Sequence, residues 1–539
     1  MNYRIIFFLI LFSGNVLKAQ QSGARPQLVV GIVVDQMSYD LLYRFWPNYS
    51  ENGFKRLVRY GYSCENNHYD YVPTYTGPGH ASIYTGTVPA VHGIVANNWF
   101  DKVHGNGWYC STDTNVTGVG AIGSSGQMSP ANMLSTTITD QLKLSLGDDA
   151  KVIGIAMKDR GAILPAGHAA DAAYWFDGYA NAWISSTYYM DALPVWLQAF
   201  NASQPANKLM SDDWHTLLPI SAYTHGTADD VPWEWVGAQE TAPVFPHITR
   251  TDTIMEHIKG TPFGNTLTAL MARQVIEHEA MGKDGVTDFL CVSFSSTDYV
   301  GHDYGPHSVE TEDTYLRLDK DLAELLEYLD LKVGEQNYLV FLTSDHGVAP
   351  VPGYMESLHI PSGLLNGTLL SAEMEAVLDA QIGVGDWIRF YTNQQLYLNE
   401  AAMRQHDTDP EAIAGILQYW ADSTDGVARV ISTRNIQEST LPAVHREMLI
   451  NGIYPKRCGE ILVVYDPNWI SYGPTGSTHG SHYAYDTQVP LLWYGWKIRN
   501  GKTWRRTSIS DIAPTIAAML RIPQPNGCIG SVIEEMKNE

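Results

Sequence analysis

The chain has 539 residues, 45% hydrophobic and 17% charged, which excludes a disordered chain or a coiled coil and fits a soluble globular protein with a large core. Its formal net charge of -24 excludes non-specific binding to nucleic acid or to an anionic membrane surface, because the summed field repels phosphate. An anionic ligand would therefore need a local positive site.

The N-terminus opens with Arg4 and an unbroken apolar run, Ile5 to Phe12, with Ala19 at a plausible cleavage point. The run is too short to span a bilayer as a helix. Residues 1–19 read as a signal peptide for a periplasmic or secreted protein with no stable membrane span, and residues 24–539 as a single catalytic domain. Export permits disulfides. The five cysteines have no zinc-ribbon spacing. Cys291 sits in an apolar run and is expected to be a buried thiol. Cys64–Cys110 and Cys458–Cys528 are expected as pairs, since each pair lies in one region of the chain.

Four apolar runs follow in order, each ending in polar residues. Leu28–Val34 ends at Asp35, Val152–Ala156 precedes Lys158, Phe289–Phe294 precedes Asp298, and Tyr338–Leu342 precedes Asp345. Continuous apolar runs suit strands buried on both faces. Helical patterns lie between them, over 135–146, 265–280 and 307–331; the last carries Tyr315, Leu318, Leu322, Leu325, Leu326 and Leu329 on one stripe. The alternation predicts an α/β fold: a central, mostly parallel sheet flanked by helices on both faces. Ligands of such sheets bind beyond the carboxyl ends of the strands, where each run delivers its polar residue. Residues 170–260, rich in Trp, Tyr, Pro and Asn, and residues 370–455, with a short helix near Pro410–Ala421, read as loop-rich insertions. The 15 Trp and 31 Tyr are residues that line carbohydrate sites and also fill ordered loops.

The chemistry-bearing residues fall in separated clusters. Asp298 and His302 sit four apart with Gly301 between them, and Asp345 and His346 are adjacent. Carboxylate with imidazole is a ligand set suited to Zn²⁺. Gly347 would let the backbone turn sharply so that Asp345 and His346 face one site. Thr76 precedes Gly77-Pro78-Gly79 and a helix-compatible run, where a hydroxyl gains from the positive helix N-terminus. An ordinary N-cap is the competing reading, and Thr74 carries the same side chain, so spacing alone does not choose between them.

The segments VVDQM, PTYTGPGHASIYTG, GIVANNWF, KDRGAILPAGH, SSTDYVGHDYGP, TSDHG and TGSTHGS occur in this order. Together they resemble the alkaline phosphatase superfamily, and within it the Thr-nucleophile periplasmic phosphomonoesterases (PafA-like). The matches run from Asp35 to His479. The resemblance implies two Zn²⁺, one held by Asp298, His302 and His479, the other by Asp35, Asp345 and His346, with Thr76 bridging to the second as nucleophile. It implies hydrolysis of small-molecule phosphate monoesters through a covalent phospho-Thr76. It places Asn97, Lys158 and Arg160 around the non-bridging phosphoryl oxygens. A monoester dianion has three such oxygens and Arg can grip two in a fork, so the Lys158/Arg160 pair favours monoesters over diesters.

The nearest rival is a phosphodiesterase or nucleotide pyrophosphatase of the same superfamily, which would share both zinc sites, Thr76 and Asn97. A sulfatase is disfavoured, since no Cys or Ser sits in a CxPxR or SxPxR context. A non-catalytic zinc protein whose aromatic insertions capture glycans is the rival from another class. Composition and motifs do not fix the oligomeric state or the physiological monoester.

Overall fold

The computed structural model describes residues 25–249 and 254–537. The expected signal peptide, residues 1–19, lies outside them. None of the described helices is long and apolar enough to cross a membrane.

Among the described residues ten strands form one sheet. Eight of them, in chain order, are β1 (Leu28–Val34), β2 (Tyr62–Cys64), β3 (Gly118–Val119), β4 (Val152–Ala156), β5 (Ala172–Asp177), β6 (Ala182–Ser186), β7 (Asp288–Phe294) and β8 (Tyr338–Thr343). The two late strands, Leu491–Gly495 and Gly501–Thr503, complete it. The spatial order is Gly501–Thr503, β2, Leu491–Gly495, β8, β1, β7, β4, β5, β6, β3. The centre of this sheet, β8-β1-β7-β4-β5, is parallel throughout. Antiparallel pairs lie outside it, Leu491–Gly495 on β8 and β6 on β5.

The helices that matter for the site are α1 (Thr76–Thr85), α2 (Asp159–Ala166), α3 (Pro262–His278), α4 (Ser296–Tyr304) and α5 (Val309–Lys332). Residues of β1 alternate between two cores. Leu28, Val30, Ile32 and Val34 pack with Leu267 and Met271 of α3 and Leu318, Leu322 and Leu325 of α5. Val29 and Val33 pack with Ile83 and Tyr84 of α1 and with Ile512 and Ile516 of the helix Ile512–Leu520. Both faces are thus covered, which is why the run shows no polar alternation. Burying each such side chain stabilises by about 1.5–3 kcal/mol. The long apolar stripe forms α5, with Ser308 capping it by accepting from Thr311 N–H and Lys332 in the last turn.

Residues 172–186, inside the first stretch expected as an insertion, are β5 and β6 of the main sheet itself. Their aromatic composition hid a buried strand. Within the second stretch and at its borders, Ile388–Thr392, Gln395–Leu398, Ile461–Tyr465 and Val427–Ser432 pair antiparallel, in that spatial order, as a separate small sheet. It has its own core, including Trp387, Leu396, Ile413, Leu417 and Val463.

The expected disulfides do not form. All five cysteines are free. Cys64 belongs to the core on one face of the main sheet, whereas Cys110 shares a different cluster with Cys458. Proximity along the chain was the wrong guide: Cys110 lies beside Gly77 at the start of α1, Cys528 beside Gly86 just past its end, and Cys64 in a different cluster from Cys110. Cys291 is a buried thiol within β7, as its apolar surroundings suggest.

Candidate metal centre and nucleophile

The polar residues at the strand ends converge on the carboxyl edge of the parallel centre. Asp35 directly follows β1, Lys158 lies two residues past β4, Asp298 sits in the first turn of α4 after β7, and Asp345–His346 follow β8. Thr76 is the first residue of α1, and Tyr75 is its N-cap. The Thr76 hydroxyl is therefore not a cap. Its Oγ1 lies 3.4 Å from His346 Nε2 and 3.5 Å from Arg160 Nη2. Thr74 is engaged elsewhere, donating to the Ser481 carbonyl at 3.1 Å. Tertiary contacts thus separate two threonines that spacing left equivalent.

Among the described residues, two groups bring ligand atoms within 4.8 Å of one another: Asp35, Asp345 and His346, and Asp298, His346 and His479. His302 approaches as well, with Nε2 at 3.2 Å from Asp298 Oδ1, while His479 Nε2 is at 3.6 Å from the same oxygen. His346 lies between the two groups. Its ring stacks on His479 at 3.5 Å, and its Nε2 is 3.5 Å from Asp35 Oδ1.

Each of these three histidines hydrogen-bonds a backbone carbonyl through Nδ1. His302 uses Ser477, His479 uses Thr74 and His346 uses Gly347, at 2.7, 2.7 and 2.9 Å. A carbonyl accepts only, so Nδ1 carries the proton and a neutral ring offers its Nε2 lone pair to the site. That is the usual way a protein fixes the tautomer of a metal ligand. Asp35 Oδ1 and Asp345 Oδ2 are buried and have no hydrogen-bond partner. Orphaned buried carboxylate oxygens beside imidazole lone pairs are a donor set that a divalent cation satisfies, so the residues fit a metal site.

The electrostatics show what the carboxylates lack. Burial pushes the Asp35 carboxyl up to about 6, against the pull of Lys158. Burial and the neighbouring Asp35 charge push Asp345 well above the usual range. Asp298 goes the other way: burial would raise it, but His302 and Lys158 hold it well below. Burial lowers His346 well below its ordinary value and takes His479 down to about 3, so both rings are neutral.

Lys158 and Arg160 are not equivalent. The Lys158 ammonium is buried, donates to Asp35 Oδ2 at 2.7 Å and to Asp298, and so bridges the two carboxylate groups. Arg160 instead points its Nη2 at Thr76 and its Nη1 at the Tyr109 hydroxyl, 3.1 Å away, and its Nε is buried without a partner. Asn97 accepts from Gly77 N–H through Oδ1 at 2.7 Å. That fixes its amide orientation, leaving the Nδ2 donor for a ligand.

One feature escaped the sequence reading. Gln36, within the VVDQM segment, donates from Nε2 to Asp298 Oδ1 at 2.8 Å and from its backbone N–H to Asp345 Oδ1 at 3.2 Å. It ties together carboxylates that follow two different strands, β7 and β8, and does so from a left-handed backbone with φ of 65°. Such a conformation is uncommon for a non-glycine residue and clusters at functional sites. Its only sequence signal was adjacency to Asp35. His80 is fully buried behind the site, with Nδ1 2.9 Å from the Thr76 carbonyl and 3.4 Å from Asp345 Oδ2, and Nε2 on Ser293 Oγ.

Gly347 and Gly301 serve close approach. A Cβ on Gly347 would stand 2.0 Å from the Tyr485 carbonyl, and one on Gly301 would stand 1.9 Å from Gln36 Oε1. Gly347 keeps an ordinary φ.

Residues 29–486 match the family model described as type I phosphodiesterase / nucleotide pyrophosphatase. A protein named "Calcium-transporting ATPase" from Myroides odoratus is 44% identical, over 99% of this chain and 99% of its own. Alkaline phosphatase PafA from Elizabethkingia meningoseptica is 42% identical over 98% of each. A crystal structure of wild-type alkaline phosphatase PafA superposes with a TM-score of 0.92 at 43% identity, covering 95% of this chain and 99% of that one.

Proposed function

The chain belongs to the type I phosphodiesterase / nucleotide pyrophosphatase family, with PafA-like alkaline phosphatases among its near-full-length relatives, and we propose that it is a two-zinc phosphomonoesterase whose nucleophile is Thr76. The observation that carries this reading is the position of Thr76 Oγ1, at a helix N-terminus between His346 Nε2 and the Arg160 guanidinium. Asp35, Asp345 and His346 would hold one zinc beside that hydroxyl, and Asp298, His302 and His479 the other. When bound, the two ions supply the charge that favours the ionised hydroxyl and stabilises the attacking and departing oxygens of an in-line displacement.

The chain's own residues do the rest. Thr76 Oγ1 forms a bond to phosphorus as the bond to the leaving oxygen breaks, giving a phosphothreonine and the alcohol. Water then cleaves phospho-Thr76 and releases inorganic phosphate. Arg160 and Asn97 Nδ2 hold the non-bridging oxygens, and the N-terminus of α1 adds its positive field. Lys158 balances Asp35 and Asp298, so three buried carboxylates do not repel the incoming dianion unopposed. The relatives named alkaline phosphatase support phosphomonoester hydrolysis. No observation on this chain favours ion transport. Residues 1–19 would direct the enzyme to the periplasm or outside the cell.

The family model's own description favours a second reading, a diesterase. Metal analysis combined with rates on an aryl phosphate and its methyl diester tests both. The expected result is two zinc ions per chain and a strong monoester preference that shrinks in the Lys158→Ala/Arg160→Ala double variant. Faster cleavage of the diester by the wild type would overturn the monoesterase reading.

A further inference from the structure

Asp159 stands between Lys158 and Arg160 and is the first residue of α2. Its Oδ1 accepts from the backbone N–H of Arg160 and from the Tyr109 hydroxyl. The Tyr109 oxygen in turn accepts from Arg160 Nη1 at 3.1 Å, while Arg160 Nη2 is 3.5 Å from Thr76 Oγ1. The hydrogen bonds therefore run one way, from Arg160 to Tyr109 to Asp159. Burial pushes the Tyr109 phenol well above its ordinary value, against the pull of Arg160, so the hydroxyl keeps its single proton. The Asp159 carboxylate takes that proton in its hydrogen bond, and the phenol lone pairs are left for the guanidinium.

Tyr109 is held in place by the element that carries Asn97. The strands Asn98–Asp101 and Asn106–Tyr109 form an antiparallel hairpin in which Asn98 faces Tyr109. Asn97 immediately precedes the first strand and accepts from Gly77 N–H. Cys110 immediately follows the second, and its N–H donates to the Asn97 carbonyl at 2.9 Å. One hairpin thus brings Asn97 and the acceptor of Arg160 together at the start of α1.

The chemistry of that acceptor matters. A guanidinium bonded directly to a carboxylate is well placed but largely neutralised, and an incoming phosphate would have to compete with the carboxylate. Here the guanidinium meets two hydroxyls, and the nearby Asp159 carboxylate is engaged by Tyr109 and by the Arg160 backbone. Ordering a long arginine side chain at the moment of binding costs entropy. A phenol that fixes it beforehand removes part of that cost.

We propose that Tyr109, oriented by Asp159, is a positioning residue that aims the Arg160 guanidinium at the transferred phosphoryl group and thereby favours monoesters over diesters. The inference rests on the phosphomonoesterase reading. A monoester presents one more non-bridging oxygen than a diester, so an aimed fork gains more from it.

Tyr109→Phe removes the phenol oxygen and keeps the ring, whose centroid lies 5.9 Å from the Arg160 guanidinium carbon. The test measures inorganic phosphate affinity by calorimetry, and kcat/KM for an aryl phosphate and its methyl diester. The proteins are the zinc-loaded wild type, Tyr109→Phe, Arg160→Ala and the double variant. Tyr109→Phe should lower phosphate affinity and monoester kcat/KM about fivefold, roughly one hydrogen bond's worth, and the diester rate by less. In the Arg160→Ala background it should change neither, because the phenol then has nothing to aim. Asp159→Ala should also slow monoester cleavage, and Asp159→Asn, which keeps an acceptor oxygen, should restore it. A wild-type monoester rate in Tyr109→Phe would overturn the proposal. So would losses of equal size with and without Arg160, the mark of a residue that only supports the fold. Faster diester cleavage by the wild type would overturn the monoesterase reading alone, since the phosphate-affinity cycle still reads whether Tyr109 acts through Arg160.

Discussion

The Nζ of Lys158 lies 2.7 Å from Asp35 Oδ2 and also donates to Asp298, so one buried ammonium joins carboxylates that arrive on β1 and α4. This pairing makes Lys158 a partner of the acidic residues as much as a candidate substrate contact. Losing it should matter most when nothing else neutralises those carboxylates. We expect Lys158→Ala to destabilise the chelator-treated protein by about 3 kcal/mol, the scale for leaving a buried charge unpaired, and the zinc-loaded protein by clearly less. Urea unfolding with chelator and with zinc checks this. Equal losses under both conditions would show that Lys158 does not share the carboxylates with the metal.

Thr76→Ala should remove phosphoenzyme altogether and lower kcat by at least about a thousandfold, because the remaining groups bind and polarise but supply no nucleophile. Thr76→Ser should keep a measurable burst. Acid-quenched labelling with a radioactive monoester reads the covalent intermediate directly. Label retained in Thr76→Ala would place the nucleophile elsewhere.

Gln36 holds Asp298 and Asp345 from a left-handed backbone. Gln36→Gly suits that backbone better and removes only the amide side chain. We expect zinc affinity to fall about 10- to 100-fold, the range for groups that orient metal ligands, with little loss of folding stability. Gly301→Ala, whose Cβ would reach 1.9 Å from Gln36 Oε1, should resemble it. Competition with a zinc chelator measures both, and wild-type affinity in the two variants would refute the role given to Gln36.

Asp321 on α5 offers a pH test away from the metal centre. Burial raises its carboxyl from 3.8 to about 7, although Thr266 Oγ1 donates to Oδ2 at 2.9 Å. The folded state thus binds the proton more tightly than the unfolded one. Its contribution is fully present below about pH 4 and is lost as pH rises through 7. Asp321→Asn keeps an acceptor for Thr266 and has no proton to lose. Its melting temperature relative to wild type should climb between pH 4 and 7 and then level off. A difference that stays flat across that range would contradict the shift.

Much of this protein was legible in the sequence. The four apolar runs appear as β1, β4, β7 and β8 with nearly the same bounds, because a strand buried on both faces must be apolar throughout and carries that record locally. The residue types that meet at the proposed metal site were legible too, because carboxylate and imidazole are read one residue at a time. Tertiary structure alone decided which groups meet. It separated Thr76 from Thr74 by placing one beside His346 and the other on Ser481. It turned Lys158 toward Asp35 and Asp298 but Arg160 toward Thr76, though the two stand two residues apart. It kept the cysteines apart, drew residues 172–186 into the main sheet, and gave Gln36 its work. Residue type and local period are written along the chain. Distance between side chains from different strands is set only when the sheet orders them, and the chemistry at this site depends on those distances.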